Sequence, residues 1–410
     1  MENLQSLNLP AKIAYGSVPK DGGTFTFYKN QRKALLKLGY QLICVSIGLR
    51  QSDLWDPQFA DEGCVLLAKN TLSVKKQAKT FVDWCVKENI RFVIGVNSEA
   101  ILSAIPHLPT NISVISRAAN AFDHGYKIVL SGGKRIEQIV ALTPRLRDDL
   151  VNQYNADPNI IRIIPNGIDK YRFLPVGELP KIENTPLKLG FLGRLEHTQK
   201  GVLHIPVILK YLEELNIPYT LKIAGKGKHK LQLINELKSL RGFENIEFLG
   251  AITPQEIPGF LNEVDVFLFT SHFEGCPNAL LEAMMAGCIP VSWLIDGITD
   301  FLIHDGETGF IIPMDDSKKF AEKLAEIHEN FTLLPLFRKR IQQYAQQHFD
   351  SDVCAAKYAK MFGEINKHPL NFEQPKSWSD FKIDENFSSL QYENQFKFWI
   401  KKVIKFVKNK

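Results

Sequence analysis

The chain has 410 residues, 45% of them hydrophobic, and a formal net charge of +5. At about 100–200 residues per domain, that length holds two domains or a little more, and the apolar share excludes wholesale disorder. The basic residues are scattered except at the C-terminus, which excludes a nucleic-acid-sized positive field across the body of the chain.

The chain opens with an apolar strand pattern, Ala11 to Tyr15, then the turn Lys20-Asp21-Gly22-Gly23 and a helical stretch that carries Phe27, Tyr28, Ala34, Leu35 and Leu38 and stops at Gly39. A β-rich run, Leu42 to Ile47, completes a strand–loop–helix–strand unit, the building block of a parallel sheet. Arg91 to Val96, Ile112 to Ile115, Ile139 to Leu142 and Ile160 to Ile164 read as further buried strands, with a helix starting near Pro144. Tyr171 to Pro186 carries prolines and little periodicity, as a linker does.

A second series follows. Leu187 to Leu192, Tyr219 to Ala224, Ile246 to Leu249, Val264 to Phe269, Ile289 to Val291 and Phe310 to Ile312 are strand patterns. Val202, Ile205, Ile208, Leu209, Leu212 and Leu215 form a helical stripe after the first of them. Two such series predict an α/β protein of two doubly wound parallel-sheet domains facing a cleft. Residues 1–175 form the first, 176–350 the second, and 351–410 a C-terminal helix and tail. Ligands of such sheets sit at the carboxyl ends of the strands, so the loops after Tyr15, Leu192, Ala224 and Phe269 are where chemistry is expected.

Four groups of residues carry that expectation. Glu274 lies on the loop after one strand and Glu282 one turn or so into the next helix, with Pro277 suited to that helix's first turn. Two carboxylates so placed can contact different parts of one ligand, and the N–H groups around Gly275 to Asn278 can bind an anion; an acid at the helix dipole plus a solvated glutamate reads equally from the spacing. Gly193-Arg194 and Lys200-Gly201 supply two cations able to neutralise a diphosphate, or simply two surface charges. Gly22-Gly23 opens the first long helix, either to let backbone approach a phosphate or as a turn; it does not match the dinucleotide fingerprint. Gly225-Lys226-Gly227 follows a strand end and borders a base or phosphate, whereas Gly306 to Gly309 is a turn feeding the strand Phe310–Ile312.

In this order, with Pro165-Asn166-Gly167-Ile168-Asp169, Phe248-Leu249-Gly250 and Glu282-Ala283-Met284 with Gly287, these residues resemble glycosyltransferase family 4, of the GT-B fold, over roughly Ala11 to Phe362. The resemblance implies a retaining transferase that moves a sugar from a nucleotide-diphosphate sugar to a glycan or lipid-linked saccharide acceptor. It implies catalytic roles for Glu274, Arg194 and Lys200. Nucleotide-sugar binding falls to Gly22, Gly23, Gly193, Arg194, Lys200, Gly225, Gly275, Asn278 and Glu282. No cofactor and no metal are expected, since the two cations serve at the diphosphate. Relatives carry a histidine after the strand that corresponds to Ile112–Ile115; here that strand runs into Ser116-Arg117-Ala118-Ala119-Asn120, and His124 is the nearest histidine and a candidate sugar contact. The alternatives are an inactive nucleotide-sugar-binding scaffold and a GT-B-fold epimerase.

The six cysteines are far apart and form no CxxC pair, which fits free thiols in a reducing cytosol. Met1 to Pro10 lacks a signal peptide's apolar core, and no stretch approaches the ~20 apolar residues of a membrane span. A cytoplasmic protein is expected. Residues 394–410 combine six lysines with Phe396, Trp399, Ile400, Val403 and Val407 on one helical face, which reads as a membrane-surface helix or as a helix docked on the N-terminal domain.

Overall fold

A computed structural model of the chain describes residues 9–17, 19, 22–47, 55–68, 72–95, 98–175, 185–330, 333–367 and 373–386. It divides into two compact bodies. The first takes the described residues within Met1–Leu142, Arg147–Ile164 and Ala355–Lys410, the second those within Thr143–Leu146 and Pro165–Cys354.

The first body is built on seven strands: β1 (Ala11–Gly16), β2 (Tyr40–Ile47), β3 (Cys64–Ala68), β4 (Ile90–Gly95), β5 (Ser113–Ala118), β6 (Ile136–Ala141) and β7 (Ile161–Ile163). Their order is β3-β2-β1-β4-β5-β6-β7, and every pairing is parallel. Helices cover both faces of a parallel sheet, so its central strands are apolar without alternation. Ile13, Ala14, Tyr15, Val93, Val114 and Ile115 are all fully buried. The short edge strand β3 is absent from the sequence reading. It pairs only with β2, at the edge of the sheet, and three of its five residues are no more than half-buried, so no clear apolar pattern marks it.

The helix Ser351–Lys367 packs on this sheet from its second turn onward: the Phe362 ring lies 4.6 Å from Phe92 and 5.0 Å from Tyr40, and Tyr358 lies 5.7 Å from Phe27. Further along, Trp378 stacks on His107 at 4.3 Å, and the Lys376 amide donates to the Pro106 carbonyl. The chain after Cys354 therefore belongs with the first sheet rather than forming a segment of its own.

The second body holds β8 (Leu187–Leu192), β9 (Tyr219–Ala224), β10 (Ile246–Gly250), β11 (Val266–Phe269), β12 (Ile289–Trp293) and β13 (Phe310–Ile312). The order is β10-β9-β8-β11-β12-β13, again all parallel. The helical stripe read from Val202 to Leu215 forms the helix His204–Glu214, with Ile205, Ile208, Leu209 and Leu212 fully buried. Residues 165–175 join this body, so the division falls at Ile164 and not at 175. Ile168 bridges to Asp350, its amide donating to the Phe349 carbonyl, and Lys170 pairs with Asp350 at 2.6 Å. The stretch read as a linker, Tyr171 to Pro186, begins directly after these contacts, and its residues 176–184 lie outside the described residues.

Among the described residues, no helix is long and apolar enough to cross a membrane. The basic amphipathic stretch 394–410 lies outside the described residues.

Candidate functional site

Strand order in the second sheet reverses between β8 and β11: β9 and β10 extend on one side, β12 and β13 on the other. The connections after β8 and β11 must leave in opposite directions. They open a crevice at the carboxyl ends of the strands, the position where doubly wound sheets bind ligands. Arg194 and Lys200 fall on the connection after β8, Glu274 on the loop after β11, and Glu282 in the helix that follows that loop.

The loop after β8 is shaped residue by residue. The Gly193 amide donates to the Ala224 carbonyl, and the Leu195 amide to that of Lys226, so it runs alongside the loop after β9. Glycine at 225 is required twice over: its φ is +150°, and a Cβ there would meet the Gly193 carbonyl oxygen at 1.8 Å. Glu196 caps the short helix His197–Lys200 by accepting the Thr198 and Gln199 amides at 3.1 and 2.8 Å. These bonds, the Gln199 amide first, hold its carboxyl down to about 2. Gly201 ends the helix at φ +58°, where a Cβ would lie 2.0 Å from the Thr270 carbonyl oxygen. The Thr270 hydroxyl donates to the Lys200 carbonyl and the His272 amide to that of Gln199. The two loops at the switch point are thus joined by one hydroxyl and one backbone hydrogen bond.

This brings Lys200 to Glu274. The Nζ–Oε1 distance is 2.5 Å, and the two side chains are only 14% and 8% exposed. Arg194 is exposed, and its guanidinium donates to the Gln199 side chain. Glu274 lies seventy-four residues from its partner in sequence, a pairing no local pattern reports.

After Glu274 the chain enters the helix Asn278–Met285. Pro277 stands at its N-cap with extended backbone (φ −77°, ψ 104°), one position earlier than the first-turn placement read from the sequence. No side chain caps this helix, and no acid lies in its first turn. Its opening amides face the crevice end of the sheet, as anion-binding helix starts do. Two residues to which the sequence assigned no role brace this start. The Asn166 amide donates to the Cys276 carbonyl and, at 2.7 Å, to the Asn278 side chain; the Thr143 hydroxyl donates to the Gly275 carbonyl.

Glu282 is buried within that helix, and Arg172 pairs with it at 3.2 Å while also donating to the Pro254 carbonyl. Asp169 caps the short turn Lys170–Arg172 that delivers the guanidinium. Burial pushes the Glu282 carboxyl up from its ordinary value, and Arg172 pulls it back. Arg172 lay in the stretch read as a linker, with nothing in its neighbours to mark it.

The remaining predicted residues sit in the first body. Gly22 is the N-cap of the helix Gly23–Lys37, with both glycines exposed and no acid in the first turn. His124 is the second residue of the helix Asp123–Leu130 and is partly buried. Arg117, which stands where the strand Ile112–Ile115 runs on, is part of β5. Its guanidinium lies 4.0 Å over the Phe27 ring and is 5% exposed, so it packs into the body's core.

Two doubly wound parallel sheets in one chain are the domains of the GT-B fold, and the chain shares that fold with solved structures. A glycosyltransferase from Rickettsia africae superposes with a TM-score of 0.71 at 16% identity, over 88% of this chain and 99% of that one. Anabaena HepE in complex with UDP-glucose gives 0.65 at 16% identity, over 86% and 99%. Residues 179–348, which span the whole second sheet, match the family model described as glycosyl transferases group 1. In Escherichia coli, UDP-Gal:alpha-D-GlcNAc-diphosphoundecaprenol alpha-1,3-galactosyltransferase is 28% identical over 210 residues, 48% of this chain and 52% of that protein. The chain spans about half the length of the curated relatives it matches.

Proposed function

We propose that this protein is a retaining glycosyltransferase that moves a sugar from a nucleotide-diphosphate sugar to a saccharide or lipid-linked saccharide. One observation carries the reading. The connections after β8 and β11, inside the segment that matches the glycosyl transferases group 1 model, join Lys200 to Glu274 just before an uncapped helix start, with Arg194 and Glu282 on the same two connections. That set suits a ligand with an anionic middle and hydroxylated ends.

In this reading Arg194, Lys200 and the amides of Gly275 to Asn278 receive the diphosphate, and Gly193 and Gly225 keep the adjacent loops close enough for backbone to approach it. Glu282, steadied by Arg172, accepts the ribose hydroxyls. Glu274 accepts hydroxyls of the donor sugar and fixes the Lys200 ammonium beside them. The bond from the anomeric carbon to the phosphate oxygen breaks with its electron pair staying on the oxygen. Lys200 and Arg194 stabilise the charge that grows there, which is where fixed cations lower a barrier most. The acceptor hydroxyl attacks from the face the phosphate leaves, and its proton passes to the departing phosphate oxygen. No divalent ion is needed at the diphosphate, because the two cations supply the charge.

Relatives named for UDP-sugars or lipid-linked acceptors set the order of the screen. The test is thermal shift of the purified chain with UDP-, GDP- and ADP-sugars in chelator. A rise of several degrees with one donor, lost in Lys200→Ala and Glu282→Ala, supports the site. No shift with any donor, and no release of nucleotide, would sink it.

A further inference from the structure

Four histidines crowd the carboxyl end of the second sheet and have no part in the donor site: His197, His204, His229 and His272. Two of them, with Asp315, aim ligand atoms at one point. His204 Nε2 lies 3.1 Å from His272 Nε2 and 3.2 Å from Asp315 Oδ1, and His272 Nε2 lies 3.3 Å from the same oxygen. Among the described residues this is the one group of three or more His, Cys, Asp or Glu so arranged. A zinc ion bound at about 2.0–2.2 Å in tetrahedral geometry sets its ligand atoms about 3.3–3.5 Å apart. The triangle is therefore nearly the size of one face of that tetrahedron.

The histidine tautomer agrees. His272 Nδ1 lies 3.1 Å from the Thr198 carbonyl oxygen, which can only accept. Nδ1 therefore carries the hydrogen, and Nε2 turns its lone pair toward His204 and Asp315. A ligand imidazole anchored by its other nitrogen to a carbonyl is the usual support of a metal-bound histidine. The His204 ring is held edge-on against Trp293 at 5.6 Å, and His204 opens the helix His204–Glu214, so its direction is fixed by packing. Asp315 projects from a turn residue at φ +63°, a conformation aspartate tolerates better than most side chains.

We infer that His204, His272 and Asp315 bind one divalent transition-metal ion, zinc by ligand type and size, with a fourth position open to water or an anionic group. Imidazole and carboxylate together suit zinc over calcium or magnesium, which take oxygen alone. The ion ties three loops. His204 follows Lys200 by four residues, and His272 precedes Glu274 by two, so occupancy staples the two loops that meet in the Lys200–Glu274 pair. This site is separate from the diphosphate cations, and the inference does not rest on the proposed reaction.

The experiment uses the untagged full chain, stripped with chelator and titrated with Co²⁺ and then Zn²⁺. The expected result is one equivalent of Co²⁺, with the visible bands of a four-coordinate site, displaced by one equivalent of Zn²⁺. His204→Ala and His272→Ala each weaken binding by about 100-fold or more, and Asp315→Ala, at an exposed turn, weakens it while the apo chain keeps its circular dichroism. His229→Ala leaves it unchanged. Less than a fifth of an equivalent bound, or wild-type binding in Asp315→Ala and His272→Ala together, overturns the site. So does loss in His229→Ala equal to that in His272→Ala.

Discussion

The strand β11 carries an ion pair beyond each of its ends, and the two pairs are built differently. Before it, Asp265 accepts from Arg338 Nη1 at 2.8 Å, and the same guanidinium donates through Nε to the Gly287 carbonyl. The Asp265 backbone joins in on both sides, donating to Lys188 and accepting from Ile289. Both side chains are about as buried as a core residue, at 6% and 5% exposure. Beyond the other end, Lys200 meets Glu274 through one contact, with the Phe269 ring 5.9 Å from the ammonium. An ammonium has three donors, and one carboxylate partner uses one of them. The amino end of the strand is closed by protein groups. The carboxyl end presents charge that a ligand can share, which is the asymmetry expected of a sheet whose chemistry sits at one edge.

Asp265→Asn tests the closed end and carries the largest expected effect. It leaves a buried guanidinium without its counter-charge, which costs about 3–5 kcal/mol. Urea denaturation of the two proteins measures it. A loss under about 1 kcal/mol would mean that the amino end is no more closed than the other. Lys200→Ala tests the open end: turnover falls by about 10–1000-fold, while the loss of stability stays below that of Asp265→Asn. If Lys200→Ala proved the more destabilising and left turnover intact, the pair would be structural and the comparison would invert.

Gly225→Ala sharpens the picture between those extremes. The added methyl points at the Gly193 carbonyl, and the backbone there sits at a positive φ. Strain of this kind costs about 1–3 kcal/mol. The loops after β8 and β9 must separate to relieve it, so the shift with nucleotide-sugar weakens along with the melting temperature. A normal donor shift in a destabilised protein would show that Gly225 serves the fold and not the site.

How far the sequence discloses these arrangements depends on the range of the forces involved. The strands β8, β9 and β13 are legible to the residue, because the signal sits in a few neighbours: β8 and β9 set buried Leu187, Leu189, Tyr219, Leu221 and Ile223 at every second position, and β13 is a short apolar run. Glu274, Lys200 and Arg194 are legible as candidates because each lies on the connection that follows a strand. Arg172 is not, and Asn166 enters only within a motif and with no role: their partners Glu282 and Asn278 lie 110 and 112 residues away, and only the folded second body joins them. The His204–His272–Asp315 group fails for the same reason, since its members come from a helix start, a loop and a turn with no metal-ligand spacing between them. Local periodicity reports layers, and sites assembled from several layers surface only in three dimensions.

The smallest predicted effect distinguishes the two ends by pH. Glu196 owes its depressed carboxyl, about 2 against an ordinary 4.5, first to the Gln199 amide and then to Lys228 and Thr198. A carboxyl whose folded value lies below its unfolded one stabilises the fold above the unfolded value, and that contribution is lost as pH falls through the folded value. The cap on the helix His197–Lys200 is therefore at full strength above about pH 4.5 and fades between 4.5 and about 2. Glu196→Gln removes the charge at every pH, so wild type should melt a few degrees above the variant at pH 6, with the gap narrowing steadily below pH 4.5. Because the cap orders the segment that carries Lys200 to Glu274, the variant should also show a smaller donor shift at neutral pH. A gap that stays constant down to pH 3 would mean that the Glu196 charge does not hold this loop, and that the bonds from the Thr270 hydroxyl and the His272 amide alone fix the open end of β11.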